Sequence, residues 1–137
     1  MTATTTVVVD TSALVAILKA EAEAAALLAV LSQPGPRHLS SATLLETRIV
    51  LERQLGQAGQ HALDLLLAKA GITTIPLEAA HVHWALEGWR RYGKGRHRAA
   101  LNLGDCFSYG LARALEAPLL FLGNDFAATD LQPAWMG

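Results

Sequence analysis

The 137-residue chain has a single cysteine, Cys106, so it contains no internal disulfide bond. Such sparse cysteine usage is typical of a protein from a reducing, intracellular compartment. No apolar stretch reaches the roughly 18 residues of a membrane span, and the opening segment MTATTT lacks the basic region that begins a signal peptide. The sequence therefore predicts a cytoplasmic protein with no membrane association.

Charged residues are also few, at 17% of the chain, and the formal net charge is only −1. The positive charge is concentrated in RRYGKGRHR at residues 90–98, which we call the basic segment. It holds five of the 11 lysines and arginines: Arg90, Arg91, Lys94, Arg96 and Arg98. Two interpretations remain open, a solvated flexible loop or a loop that binds phosphate groups, because guanidinium groups pair well with phosphate.

Apolar residues make up 52% of the chain, enough to fold one domain spanning residues 1–137. Short apolar runs predict strands at 7–9, 37–40, 72–77 and 119–123. Segments rich in helix formers predict helices at 13–18, 20–31, 42–55, 61–70, 78–92 and 103–116. Strands that alternate with longer helices predict an α/β fold with a central parallel sheet.

Three aspartates lie where strands end or helices begin. Asp10 follows the first strand, Asp125 follows the last, and Asp105 lies in the first turn of the helix that Asn102 caps. Each has a local explanation as a helix cap or a turn residue. In a parallel sheet, however, ligands bind beyond the carboxyl ends of the strands, so Asp10 and Asp125 are expected at the same edge.

A fourth acid, Glu46, lies three and four residues before Ile49 and Val50 on a predicted helix. This spacing places it on one stripe with apolar side chains, which we expect to face the core. A carboxylate there needs a partner, a metal or a function, and Arg53 is one possible partner.

Four carboxylates at one edge would repel one another unless a cation neutralised them. Oxygen ligands favour Mg²⁺ or Mn²⁺. His81 and His83 are two residues apart on a predicted helix and so face different ways, and Cys106 has no cysteine or histidine at a metal-binding spacing. The acids therefore predict a magnesium site.

The chain resembles the PIN-domain ribonucleases, and more closely the VapC toxins of bacterial type II toxin–antitoxin pairs, in four segments: DTSALVAIL, SSATLLETRIVL, YGKGRHRAALNLGDCFSYGLA and LLFLGNDF. The resemblance implies a PIN-like α/β/α sandwich around a parallel sheet. It also matches Asp10, Glu46 and Asp105 to the family's first three acids. Asp125 is the best match for the fourth, with Asn124 and Asp130 as nearby alternatives.

The resemblance further implies a Mg²⁺-dependent endoribonuclease, with Mn²⁺ as a substitute, that leaves 5′-phosphate and 3′-hydroxyl ends. We expect Asp10 and Asp105 to bind the ion directly and Glu46 and Asp125 to complete or extend the site. Thr11 or Ser12 would hold a water or a phosphate nearby. The basic segment would bind the RNA substrate, with Tyr92 or His97 stacking on a base. The implied partners are a VapB-type antitoxin and a second copy of the chain.

Three other functions are weighed against this one. A phosphoacceptor receiver domain would carry paired acids after the first strand, and a dehalogenase-like phosphatase would carry an acid at the position of Ser12. The remaining alternative is a non-catalytic PIN-like module that binds RNA or a protein partner. The presence of all four acids favours the nuclease.

Overall fold

The computed structural model describes residues 4–137. Within these residues the central sheet consists of β1 (Val7–Val9), β2 (Arg37–Ser40), β3 (Ile72–Ile75) and β4 (Leu119–Leu120). The strand order is β3-β2-β1-β4, and each neighbouring pair is parallel. The predicted parallel sheet is confirmed, and the carboxyl end of β1 lies between β2 and β4.

Helices cover both faces of this sheet. They are α1 (Thr11–Leu18), α2 (Ala24–Leu31), α3 (Ser41–Ala70), α4 (Ala79–Tyr92), α5 (Leu103–Leu115) and a short 3₁₀ helix (Phe126–Ala128). Side chains alternate along β1, so Val8 packs with the core formed by α4 and α5, and Val7 and Val9 pack with α1, α2 and α3. This arrangement is the expected α/β/α sandwich.

The helix boundaries differ from the prediction in two places. The break predicted between the helices at 42–55 and 61–70 is present inside α3 at Gly56, where φ is 63° and ψ is −148°. The element therefore consists of two helices joined at a kink, and the second one begins before the predicted residue 61. The second helix begins at Ala24 and not at residue 20, because Ala20 adopts a left-handed conformation with φ 53°.

The last strand ends earlier than the predicted 119–123. β4 covers Leu119 and Leu120 only, and the backbone N–H of Leu122 donates to the hydroxyl of Ser12 at 3.0 Å, outside the ladder. The chain thus leaves the sheet beside the start of α1, where Asp10 lies. In the part of the chain that the structure describes, no helix is long and apolar enough to cross a membrane.

Candidate active site

Asp10 lies at the carboxyl end of β1 and caps α1, and it is only 3% exposed. Its Oδ2 atom accepts from the backbone N–H of Ser12 at 3.0 Å and from the Ser12 hydroxyl at 2.7 Å. Its Oδ1 atom accepts from the hydroxyl of Ser108 at 2.5 Å. The capping role that the sequence suggested is real, but it occupies only one carboxylate oxygen.

Glu46 reaches the same region from α3 and is half-buried. Its Oε1 atom accepts from the Thr11 hydroxyl at 2.7 Å. Burial raises the pKa of Glu46 and the negative charge of Asp10 raises it further, whereas the Thr11 hydrogen bond lowers it. A Cβ atom at Gly104 would collide with the Glu46 carboxylate, so α5 approaches this acid closely because that position is glycine.

The expectation that Glu46 lies on a core-facing stripe is wrong. The buried side of the first half of α3 carries Thr43, Thr47 and Leu51, and Ile49 is 45% exposed. The buried side of a helix usually carries apolar residues, but here it carries two threonines. Hydropathy alone therefore predicted the wrong face of α3 as the buried one. Among residues 4–137, Glu46 forms no ion pair with Arg53.

Asp105 lies in the first turn of α5, as predicted, in a reciprocal capping arrangement with Asn102. The Asp105 backbone N–H donates to Asn102 Oδ1 at 2.9 Å, and the Asn102 N–H donates to Asp105 Oδ2 at 3.0 Å. Burial and the charges of Asp10, Asp125 and Glu46 together raise the pKa of Asp105 to about 7, and burial is the largest cause. The hydrogen bond from the Asn102 N–H acts in the opposite direction and lowers this pKa.

Asp125 and Asp130 have different surroundings. Asp125 is exposed and immediately precedes Phe126, whose buried ring packs against that of Phe121 at a centroid distance of 5.4 Å. Asp130 accepts from the Tyr109 hydroxyl at 2.8 Å and pairs with Arg113. The charge of Asp125 acts on Asp105, whereas Asp130 is neutralised by an arginine.

The charges of Asp10, Glu46 and Asp125 thus act on Asp105, and the charge of Asp10 acts on Glu46. Within the described range 4–137, no three acidic, histidine or cysteine side chains form a ready-made metal cluster. Three of the carboxylates accept hydrogen bonds from separate donors. Asp10 accepts from Ser12 and Ser108, Glu46 accepts from Thr11, and Asp105 accepts from the backbone N–H of Asn102. The metal assignment of these acids therefore stays a prediction.

Sequence reasoning missed a chain of buried hydroxyl groups beneath the acids. Thr11 lies 2.9 Å from Thr47, and Thr43 lies 3.3 Å from Ser108, oxygen to oxygen. The Thr47 hydroxyl also lies 2.8 Å from the Thr43 carbonyl, to which it can donate. Only the threonine spacing at 43 and 47 could have suggested this layer, because Ser108 joins it from a distant segment.

The basic segment begins in the last turn of α4, which carries Arg90 and Arg91, and continues as a hydrogen-bonded loop. A parallel bridge joins Gly93 to Leu101, and the Lys94 N–H donates to the Leu101 carbonyl at 3.0 Å. Leu101 directly precedes Asn102, the cap of the helix that carries Asp105. The loop is therefore anchored next to the acids.

The five cations of the basic segment are not equivalent. Arg90 pairs with Glu87 at 2.9 Å, Arg91 lies 3.5 Å from Asp130, and Arg96 stacks on Trp89 at 4.4 Å. Lys94 and Arg98 are exposed and form no ion pair in the part of the chain that the structure describes.

The suggested stacking of Tyr92 on a base is contradicted by its burial. Tyr92 is 7% exposed and packs against Tyr109, and His97 contacts the Tyr92 ring edge-on at 5.0 Å. A ring enclosed in the core has no free face for a nucleobase. Trp89, which sequence reasoning did not single out, is 42% exposed.

Large apolar side chains also lie exposed on α3, α4 and the start of α5. We call this set the apolar face: Leu45, Ile49, Val82, Leu86, Trp89 and Leu103. Two grooves of about 410 and 360 Å³ run along it, and both are lined by Leu103 and Phe107. The second groove also includes Glu46, so the apolar face borders the acids.

Known proteins with similar sequence or fold connect these observations to a family. The profile of the PIN domain family matches residues 7–131. A ribonuclease VapC of Mycolicibacterium smegmatis is 48% identical over 124 residues, which cover 90% of this chain and 96% of that protein.

Two solved structures show the same fold. VapC20 of Mycobacterium tuberculosis, a toxin that cleaves the sarcin-ricin loop, aligns with a TM-score of 0.73 and 21% identity, covering 91% of this chain and 95% of that one. VapBC2 of Rickettsia felis, bound to a DNA fragment from its promoter, aligns with a TM-score of 0.70 and 18% identity, covering 89% and 90%.

Proposed function

The chain belongs to the PIN domain family and, within it, to the VapC ribonucleases, and we propose that it is a Mg²⁺-dependent endoribonuclease, the toxin of a type II toxin–antitoxin pair. The observation that carries this proposal is the coupling of Asp105 to Asp10, Glu46 and Asp125. Four segments that are distant in sequence bring negative charge to one edge of the sheet. Such an arrangement is unfavourable for folding and is typical of a functional site.

The donor set fits a hard divalent cation. Every candidate ligand is a carboxylate oxygen, which is the chemistry that Mg²⁺ and Mn²⁺ prefer. Asp10, Glu46, Asp105 and Asp125 would hold the ion. When bound, it would lower the pKa of a water molecule and neutralise charge on the scissile phosphate.

The protein's own groups prepare the site for this chemistry. Ser12 and Ser108 fix the Asp10 carboxylate, and Thr11 holds Glu46. Hydrolysis adds water across the bond between phosphorus and the 3′ oxygen, which leaves a 3′-hydroxyl and a 5′-phosphate.

RNA binding requires positive charge near the acids, because the acids alone repel phosphate. The basic segment supplies it, since the Gly93–Leu101 bridge joins it to the start of α5. Lys94 and Arg98 are exposed with no ion pair among residues 4–137, so we propose that they contribute most to binding of the flanking phosphates. We propose that the protein acts in the cytoplasm, where its RNA substrate is found.

We propose two protein partners, a VapB-type antitoxin and a second copy of this chain. Family membership supports the antitoxin, and the similarity in fold to VapBC2 of Rickettsia felis is consistent with it. The second copy fits the apolar face, whose six side chains are uncharged and so allow two identical surfaces to meet without repulsion.

Light scattering tests the dimer. Leu103→Glu places a charge at the centre of the apolar face and should convert the dimer to a monomer at micromolar concentration. Leu65→Glu is the matched control, because Leu65 is 47% exposed but lies outside the apolar face, in the second half of α3. A monomeric wild-type protein, or equal effects of both substitutions, would contradict this interface.

RNA cleavage with and without chelator tests the enzyme. Cleavage should require Mg²⁺ or Mn²⁺, and Asp10→Asn or Asp105→Asn should abolish it while the protein stays folded. Asp64→Asn is the control, because Asp64 pairs with Arg48 on the surface and should leave the rate unchanged. Wild-type RNA binding without cleavage of any structured RNA would instead indicate the non-catalytic module.

A further inference from the structure

Ser108 stands out among the buried polar residues because its side chain connects Asp10 to α5, the helix that carries Asp105. It is fully buried on α5, one turn after Asp105, and its hydroxyl donates to Oδ1 of Asp10, 98 residues away in sequence. The oxygen–oxygen distance of 2.5 Å is at the short end for a hydroxyl that donates to a carboxylate.

Counting hydrogen bonds shows which part of Asp10 remains available. A carboxylate offers about four acceptor positions, two on each oxygen. Oδ2 accepts from both the N–H and the hydroxyl of Ser12, so both of its positions are used. Among residues 4–137, Oδ1 accepts from Ser108 alone, which leaves one acceptor position on Oδ1 without a donor from these residues.

The neighbouring groups fix the direction of these hydrogen bonds. The Ser12 hydroxyl accepts from the Leu122 N–H at 3.0 Å, which leaves its proton for Asp10. The Ser108 hydroxyl lies 3.3 Å from that of Thr43, and since Ser108 gives its single proton to Asp10, Thr43 is the donor in that pair. Both serines therefore donate to the Asp10 carboxylate.

We infer that Asp10 binds the cation through Oδ1 alone and that Ser108 is the positioning residue that fixes this oxygen. This inference rests on the proposed metal-dependent function. Ser108 acts through Asp10 and touches neither RNA nor ion. Because Ser108 lies on α5, its hydrogen bond also connects Asp10 to the helix that carries Asp105. The two carboxylates therefore keep a fixed position relative to each other. Loss of a group that orients a metal ligand typically weakens metal binding by about 10- to 100-fold.

Binding of Mn²⁺ to the full-length protein without RNA, followed by electron paramagnetic resonance, tests this inference. Ser108→Ala should weaken Mn²⁺ binding by about tenfold or more. Thr43→Val is the matched control. It removes another buried hydroxyl of the hydrogen-bonded row, and that hydroxyl contacts Ser108 but not Asp10. It should lower stability yet leave the Mn²⁺ affinity within about twofold of wild type, since the hydrogen bond from Ser108 to Asp10 remains.

The outcomes separate this inference from the proposed function. Unchanged affinity in Ser108→Ala, or equal losses in both variants, would overturn the role of Ser108. Asp10→Asn in the same titration should abolish binding, and if it does not, the metal site itself is misassigned. If urea unfolding shows that Ser108→Ala does not fold, Ser108→Cys, which nearly keeps the volume and has a weaker donor, decides by the same criteria.

Discussion

Replacing Gly104 by alanine separates the function of Glu46 from its contribution to stability. The backbone at Gly104 is helical, so alanine is compatible with it and gains up to about 1 kcal/mol in helix propensity. The new Cβ would occupy the position of the Glu46 carboxylate, which must then move away from Thr11.

The two contributions to stability nearly cancel. A hydrogen bond to a charged group contributes about 1.5–3 kcal/mol, but Glu46 is only half-buried and regains hydration when its side chain turns outward. We therefore expect Gly104→Ala to change the free energy of unfolding by no more than about 1–2 kcal/mol. A displacement of about 1 Å at a catalytic group costs about 100-fold in rate, so cleavage should fall by that order.

Urea unfolding and RNA cleavage at saturating Mg²⁺ measure the two effects on the same samples. Glu46→Gln provides the reference, and adding Gly104→Ala to it should cause little further loss, because both substitutions act on one carboxylate. Full activity of Gly104→Ala would show that the position of Glu46 is unimportant. If the two losses of activity add in the double variant, the collision between the alanine Cβ and the Glu46 carboxylate is not the cause of the lower rate in Gly104→Ala.

Three further predictions concern the other residues of the site. Lys94→Ala with Arg98→Ala should weaken RNA binding and lower the slope of log affinity against log salt by about 0.7 for each phosphate that the protein no longer neutralises. Asp125→Asn should raise the Mg²⁺ concentration for half-maximal cleavage, whereas Asp130→Asn should leave it unchanged and lower stability by about 1–2 kcal/mol because its ion pair with Arg113 is removed. With chelator present, the wild-type free energy of unfolding should fall relative to that of Asp105→Asn as the pH rises from 4 to 8.

The sign of the pH effect follows from the raised pKa of Asp105. The folded protein holds this proton up to about pH 7, against 3.8 for the ordinary aspartate, so the associated stability is present at low pH and is lost as the pH rises through 7. If the free energies of unfolding of the wild type and of Asp105→Asn changed equally with pH, the raised pKa of Asp105 would be contradicted. For RNA binding, alanine at the ion-paired Arg90 and Arg91 is the control and should change the salt slope less.

The sequence by itself determined the order and type of most elements, because the signals for them are local. The valines of β1 are β-branched, Gly71 ends α3 in a left-handed conformation with φ 65°, and Asn102 caps α5 through hydrogen bonds to a residue three positions away. The four candidate acids were also found from sequence, because a carboxylate next to an apolar run stands out.

Only the tertiary structure decided which face of a helix is covered and which distant groups meet. Periodicity showed that Glu46 shares a stripe with Ile49, but threonines cover the buried side of α3, so hydropathy pointed the wrong way. The hydrogen bond from Ser108 to Asp10 and the pairing of Asp130 with Arg113 join segments with no fixed sequence spacing. Such contacts depend on how the layers pack, and a local pattern carries no information about that packing.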